Sequence, residues 1–342
     1  MTTLRPARLS LGWLAAGVGA VLVALVAGVA LGPVTLPPGS VAAELLNLIP
    51  GVDLPSGLNE RETAIITELR LPRVVLGLLV GAMLSLAGGC YQGVFRNPLA
   101  DPYLLGVAAG AGLGATMAIA FRAGAVLPLA AFAGAGIAVV VTYLLGVAGG
   151  RDRSSATLIL AGVAVSSFLA AIQTYLLQRN VDTIREVYSW LLGRLATNGW
   201  HEVTLLLPYA LVTTIVVLAL RRELDVLSVG DTEAASLGLH PQRSRMILLA
   251  AASLGTAAAV AVSGLIGFVG IIVPHVVRLL AGGSYRSILP LSLLFGAAFL
   301  ALADLAARTL IAPGELPIGV VTAFFGAPFF ILVLRSTRRV SV

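Results

Sequence analysis

Few side chains in this sequence are of types that carry out chemistry, and they lie far apart. The three histidines, His201, His240 and His275, form no HExxH pair and no carboxylate–histidine cluster of the kind that holds a metal. The single cysteine, Cys90, lies in an apolar run, which excludes an intrachain disulfide and a cysteine-based metal cluster. The sequence therefore predicts no catalytic residue, no metal site and no cofactor bound by this chain.

One carboxylate, Asp304, lies clearly inside a long apolar run. A charge at such a position is costly in a bilayer and is a functional candidate for that reason. Arg308 follows four residues later on the same helix face, so a structural ion pair is an equally good interpretation. A proton-coupled carrier would usually show more buried titratable groups.

A short polar stretch, GDTEAASLGL at 230–239, separates two apolar runs. Asp231 could cap a short helix over 233–237, and Gly238 followed by Pro241 would end it. The stretch is too short to span a bilayer. We interpret it as a built polar helix; an ordinary surface loop is the alternative.

The composition shows what must position these residues. With 58% hydrophobic and 11% charged residues and a mean hydropathy of +0.99, the chain is an integral membrane protein. All 22 basic residues apart from histidine are arginines. A GxxxxGK[ST] nucleotide-binding loop needs a lysine, so this chain cannot itself be that kind of ATPase. The arginines mostly flank apolar runs, which favours membrane topology over nucleic-acid binding as their role.

The apolar runs predict an all-α polytopic membrane protein with ten transmembrane helices. The predicted spans are 11–31, 74–95, 103–121, 123–147, 156–177, 203–220, 246–262, 265–280, 288–307 and 316–334. The eighth is short and contains Pro274, so we expect it to end inside the protein or at the interface. Repeated glycines at four-residue spacing, such as Gly110 and Gly114, predict close helix packing.

The arginines also predict the orientation. Placing both termini in the cytoplasm puts 14 of the 22 on the inner side, in agreement with the positive-inside rule. These are Arg5, Arg8, Arg96, Arg151, Arg153, Arg221, Arg222, Arg243, Arg245, Arg278, Arg286, Arg335, Arg338 and Arg339. We predict one domain over 1–342, with a membrane bundle at about 9–335, a cytoplasmic loop at 221–245 and outer loops at 32–70 and 178–202.

Three stretches, 69–115, 230–282 and 314–334, together resemble the FecCD family of permease subunits of ABC importers for ferric siderophores, haem and vitamin B12. The most specific motifs are RNPLADPYLLG, which begins at Arg96, and GFVGIIVPHVVRL, which begins at Gly267. The resemblance covers nearly the whole chain from about Glu60. It implies a ten-span subunit of the bacterial cytoplasmic membrane, a homodimer, two cytoplasmic ATPases that carry ATP and Mg²⁺, and an external solute-binding protein.

The resemblance also implies roles for particular residues. The polar stretch matches the family's coupling helix, which seats in the ATPase, and its residues are Gly230, Asp231, Glu233, Ala234, Ala235, Leu237, Gly238 and Leu239. Arg70, Arg73 and Arg308 match outer arginines that meet carboxylates of the binding protein; anchoring to lipid headgroups is the alternative. Ser154 and Ser155 match the inner gate, although capping of the fifth span explains them equally well. The fragment 187–195 matches an outer half-helix.

The function implied is import of a large metal chelate, with a ferric siderophore favoured over haem or cobalamin. No residue in the sequence decides the substrate. The second interpretation is an ion-coupled secondary transporter that acts without an ATPase.

Overall fold

The computed structural model describes residues 9–32, 36–148, 155–197, 199–312 and 314–338. Over these residues the chain forms α-helices, short 3₁₀ and π-helical turns and loops, and contains no strand. The α-helices are α1 Leu11–Ala30, α2 Pro38–Asn47, α3 Glu60–Ala64, α4 Leu71–Val94, α5 Val107–Ala120, α6 Leu127–Ala148, α7 Ser155–Arg179, α8 Ile184–Leu191, α9 His201–Ala219, α10 Arg221–Leu227, α11 Asp231–Ser236, α12 Pro241–Ser263, α13 Val269–Ala281, α14 Tyr285–Thr309 and α15 Ile318–Arg338.

Seven helical stretches of the described residues are long and apolar enough to cross a membrane, by length and composition alone. They are Leu11–Ala30, Glu60–Val94, Gly124–Val147, Ala156–Arg179, His201–Ala219, Pro241–Ser263 and Tyr285–Thr309. Three shorter apolar helices are Val107–Ala120, Val269–Ala281 and Ile318–Ile331. Each predicted apolar segment coincides with one of these ten helices; α5 and α13 are shorter than a membrane span, whereas α15 continues beyond Ile331 to Arg338 and has 21 residues.

Helices α4, α12 and α14 form the centre of the bundle and are largely buried, whereas α1, α6, α7 and α9 surround them. These surrounding helices expose large apolar side chains, such as Leu144, Phe168 and Ile215. An exposed apolar surface of this extent is stable in lipid, where it meets acyl chains rather than water.

Glycines allow the central helices to approach closely. A Cβ atom at Gly88 of α4 would lie 1.9 Å from the carbonyl oxygen of Gly270 in α13. At Gly81 it would lie 2.2 Å from the carbonyl oxygen of Gly296 in α14. At the predicted Gly110 and Gly114 of α5, a Cβ atom would lie 2.2 and 2.1 Å from carbonyl oxygens of α6. The predicted packing role of these glycines is therefore confirmed, because any larger residue would force the backbones apart.

Two helices of the bundle begin within its interior. Helices α5 and α13 have 14 and 13 residues, which gives each a length of about 20 Å, less than the hydrocarbon core of a bilayer. The segments before them, of which the first contains a 3₁₀ helix at Pro102–Leu105, contact each other. The Tyr103 hydroxyl donates to the carbonyl oxygen of Ile266 at 3.0 Å and accepts from its N–H at 3.2 Å. Phe268, with φ +70°, ends the second segment, so the predicted eighth span begins inside the protein as an interrupted helix.

The predicted outer loop at 32–70 is largely helical. It contains α2 and α3, and a π-helical turn, Ile65–Arg70, joins α3 to α4 without a break. The reason is a capping box at the start of α3: the Asn59 side chain accepts from the Glu62 N–H, and the Glu62 carboxylate accepts from the Asn59 N–H, each at 3.0 Å.

Candidate functional site

The polar stretch between α10 and α12 forms a short, well-terminated helix, α11. Gly238 ends it with φ +82°, and its N–H donates to the carbonyl oxygen of Ala235 at 3.0 Å. The Leu239 N–H donates to the carbonyl oxygen of Ala234 at 3.1 Å, which completes a Schellman motif. Ala234 is fully buried, whereas the side chain of Leu237 is 72% exposed. The helix therefore packs on the bundle with one face and presents an apolar side chain outward.

The predicted role of Asp231 as a helix cap is wrong. Gly230 occupies the N-cap position, and α11 begins at Asp231 itself. The Asp231 carboxylate instead forms ion pairs with Arg96, just after α4, and with Arg245 of α12, whose Nη2 lies 2.8 Å from Oδ1. Two guanidinium groups compete better for a carboxylate than the backbone N–H groups of a short helix do.

These ion pairs fasten α11 to the ends of two membrane helices. Arg96 also donates from Nε to the carbonyl oxygen of Leu227 at 2.9 Å, and its backbone adopts φ +50°, which is uncommon outside glycine. The pairs are partly exposed, so each contributes only modestly to stability. Their effect is to hold the orientation of α11 relative to α4 and α12.

A second cluster of charges lies at the opposite end of α4, about 35 Å from Arg96 given the 24 residues of that helix. We call Arg70, Arg73, Asp304, Arg308 and Glu315 the outer cluster. The Arg73 guanidinium donates to both carboxylates: its Nη2 lies 2.9 Å from Oδ1 of Asp304 and 2.9 Å from Oε2 of Glu315. Arg308 binds Asp304 from the other side, with Nε 3.1 Å from Oδ2. The predicted Asp304–Arg308 ion pair is confirmed, and Arg73 joins it.

The predicted docking arginines differ in accessibility. Arg70 is buried and donates to the carbonyl oxygens of Val29 and Ala30 at 2.8 and 3.1 Å. Arg308 is also buried and donates to the carbonyl oxygen of Gly28 at 2.9 Å. The side chain of Arg73 is 20% exposed. Two of the three arginines thus hold α1 against α4 and α14 in this conformation, and docking stays a prediction for all three.

Glu315 is a member of the outer cluster that the sequence patterns did not identify. It follows α14 in the segment GELPIG, and only its proximity in the fold to Arg73 gives it a role. The hydrogen bond from Arg73 lowers the pKa of Glu315 below its ordinary value. Three members of the cluster, Arg73, Asp304 and Glu315, line a cavity of about 230 Å³ together with Arg194 and residues 316–318. A carboxylate or other small anion entering this cavity would meet Arg73, which already binds Asp304 and Glu315.

The predicted gate and half-helix are only partly described. Ser154 lies outside the described residues, and Ser155 is the first residue of α7. The predicted outer half-helix 187–195 corresponds to α8, Ile184–Leu191, which begins three residues earlier and is too short to span. Its Leu191, with Leu265, Phe268 and Phe324, lines an open cavity of about 530 Å³ between α8, the segment before α13, and α15.

Comparison with known proteins places these features in a family. The chain matches the FecCD transport family over residues 20–336. It is 45% identical over 282 residues to the cobalamin import system permease protein BtuC of Halobacterium salinarum, covering 82% of this chain and 76% of that protein. It is 38% identical over 277 residues to the Fe(3+) dicitrate transport system permease protein FecD of Escherichia coli, covering 80% and 86%.

A solved structure is similar over almost the whole fold. It shows an inward-facing conformation of an ABC transporter assigned to the metal-chelate type, with a TM-score of 0.82 and 29% sequence identity. The match covers 94% of this chain and 98% of the solved chain.

Proposed function

Because the chain belongs to the FecCD transport family, we propose that it is the permease subunit of a binding-protein-dependent ABC importer that moves a metal chelate into the cytoplasm. ATP hydrolysis in a separate subunit drives this movement. The subunit crosses the membrane ten times with both termini inside, using the seven long helices and the three short ones. It resides in the bacterial cytoplasmic membrane.

The observation that carries this proposal is the form of α11. A Schellman motif closes its C-terminus, Asp231 fastens it to two membrane helices, and Leu237 projects from it. An exposed leucine on a rigidly held polar helix suits a groove of a partner protein. The absence of lysine from the sequence requires that the ATPase be a separate chain. Residues Gly230 to Leu239 are therefore proposed as the coupling site.

The proposed assembly is a homodimer with two ATPases inside and a solute-binding protein outside. The outer cluster, with Arg70, Arg73 and Arg308, is the proposed docking surface for that protein. Arg73 is the member that an external carboxylate reaches first, because it alone of the three is partly exposed. Ser154 and Ser155 are proposed for the inner gate. ATP drives the alternation between outward-open and inward-open states through its different affinity for the two.

The proposed substrate is a large metal chelate, and a ferric siderophore is our first candidate. Cobalamin is the second candidate; the relative named for cobalamin import shares 45% identity with this chain and the relative named for ferric dicitrate 38%, so sequence identity does not exclude it. Binding of ferric siderophores and of cobalamin to the cognate solute-binding protein would decide between them.

The coupling proposal is tested by replacing Glu233 and Leu237 with Arg and Ser in the reconstituted complex. ATP-driven uptake should fall at least about tenfold, because an apolar contact of this size contributes about 1.5–3 kcal/mol. The control is Leu310→Ser, which changes an equally exposed leucine at the other face. Normal uptake by the double variant would overturn the coupling role. Accumulation of chelate by this polypeptide alone, without nucleotide, would favour a secondary transporter.

A further inference from the structure

The helix before the coupling helix is packed into the end of α4. Leu224 and Leu227 of α10 are buried, and Leu224 fills the space above Gly93. A Cβ atom at Gly93 would lie 2.7 Å from Cγ of Leu224, so the leucine occupies the volume that a side chain there would need. Together with the Arg96–Leu227 hydrogen bond, this contact makes α10 follow any displacement of the inner end of α4.

The polar face of the same helix holds the start of α14. The Ser284 hydroxyl donates to Oδ2 of Asp225 at 2.7 Å, and the Tyr285 N–H donates to Oδ1. Arg286 forms an ion pair with the same carboxylate, with Nε 3.3 Å from Oδ2. A carboxylate at a helix N-terminus interacts favourably with the free N–H groups and the helix dipole. Here that carboxylate comes from α10 and not from the helix that it caps.

Helices α4 and α14 form one body that reaches the opposite face. Gly81 and Gly296 bring the two backbones together midway, where a Cβ atom at Gly296 would lie 2.3 Å from Cβ of Ser85. At the outer end, Arg73 binds Asp304. The 25 residues of α14 span about 37 Å, enough to join the two clusters of charge. Closely packed helices shift as units rather than deforming continuously.

We propose that Asp225 is a positioning residue that transmits the movement of the coupling helix to α14, and through α14 to the outer cluster. This inference rests on the proposed function, since it assumes an ATPase that moves α11. The residue touches neither substrate nor nucleotide. Its role is to keep the start of α14 in register with α10, so that a displacement at the inner face appears at Asp304.

The test compares Asp225→Ala with Asp225→Asn in the complete complex with its ATPase and binding protein. Asp225→Ala removes both acceptor atoms, whereas Asp225→Asn keeps one for the Tyr285 N–H. The uptake per ATP hydrolysed should fall about tenfold in Asp225→Ala, the factor expected for a lost hydrogen bond to a charged group, and less in Asp225→Asn. The control is Asp182→Asn, which changes an exposed aspartate at the other face and should leave the uptake per ATP hydrolysed unchanged.

A labelling experiment follows the outer end of α14 directly. Leu310 is 66% exposed just after α14, and the single native cysteine, Cys90, is fully buried. A Leu310→Cys variant can therefore be labelled at that position with a maleimide. A non-hydrolysable ATP analogue should change the labelling rate in the otherwise native complex by several-fold, and Asp225→Ala should abolish that change.

Three outcomes would overturn the inference. One is a normal ratio of uptake to hydrolysis in Asp225→Ala. Another is a parallel loss of uptake and hydrolysis at constant ratio together with a lower melting temperature, which would show that Asp225 only maintains the fold. The third is a labelling response that persists in Asp225→Ala. Failure of the proposed function would look different, because the native complex itself would show no ATP-dependent uptake.

Discussion

The buried carboxylate of Asp304 holds two arginines, and its replacement by Asn should destabilise the protein much more than the same change at Glu315. Asp304 is 1% exposed and Arg308 is 5% exposed. Asp304→Asn leaves Arg73 and Arg308 facing each other across an uncharged group in a site with little water. Glu315→Gln removes a carboxylate that is half exposed and that binds only one of these arginines.

The magnitude follows from the partners that remain. Removing one member of a buried ion pair costs about 3–5 kcal/mol. The lower end applies here, because Glu315 still accepts from Arg73 and the Gly28 carbonyl oxygen still accepts from Arg308. An exposed pair such as Arg73–Glu315 contributes less than about 1 kcal/mol. At about 2 °C per kcal/mol for a chain of this size, Asp304→Asn should lower the Tm by about 6 °C and Glu315→Gln by about 2 °C or less.

Cys90 provides the assay. It is the only cysteine of the chain and is fully buried, with its Sγ 3.6 Å from the carbonyl oxygen of Leu248 in α12. A thiol-reactive fluorophore therefore reports the temperature at which the α4–α12 core opens. All variants need the same heating rate, because the Tm depends on that rate when unfolding is irreversible.

Equal decreases in Tm for Asp304→Asn and Glu315→Gln would refute the reasoning, since burial would then not determine how much stability each variant loses. A double variant, Asp304→Asn with Arg308→Gln, adds a second check. It removes the arginine that Asp304→Asn would leave buried without its carboxylate. Its decrease in Tm should therefore be smaller than the sum of the decreases in the two single variants. A simple sum would mean that the two side chains do not interact.

Three further predictions concern packing, pH and reactivity. Gly88→Ala should lower the Tm and reduce uptake, because the new methyl group would clash with the Gly270 carbonyl oxygen. The control is Gly136→Ala, whose methyl group meets no atom within 4 Å and should not lower the Tm. The Arg73 hydrogen bond lowers the pKa of Glu315, so its stabilising effect is present above the ordinary glutamate pKa of about 4.3 and is lost as the pH falls through the lowered pKa of the folded protein. The Tm difference between the native protein and Glu315→Gln should therefore shrink as the pH is lowered below about 4.3. A difference that stays constant as the pH is lowered would contradict this assignment. Cys90 should not react with maleimide at pH 7 until the protein is denatured, because its side chain is fully buried. Mass spectrometry of the labelled samples measures this reaction, and labelling of the folded protein would contradict the burial of Cys90.

Local patterns predicted the secondary structure well and its interruptions poorly. The long helices agree with the predicted spans, because twenty apolar residues in lipid have few alternatives to a helix. The starts of α5 and α13 were predicted four residues too early. Their irregular segments are as apolar as the helices that follow, and they are stabilised by the Tyr103–Ile266 hydrogen bonds between residues 163 positions apart.

For the candidate site too, the local sequence predicted some features and the tertiary structure decided others. Composition, the absence of lysine and the family motifs identified a membrane permease with a polar helix between two spans, because these signals depend on residue type and local order. Apart from the Asp304–Arg308 pair, the tertiary structure alone decided which partner each of these charges has. It placed Arg73 beside Asp304, 231 residues away, buried Arg70 and Arg308 against carbonyl groups, and set Asp225 at the start of α14. An ion pair depends on distance in space, and sequence spacing predicts that distance only within one helix, as it did for Asp304 and Arg308.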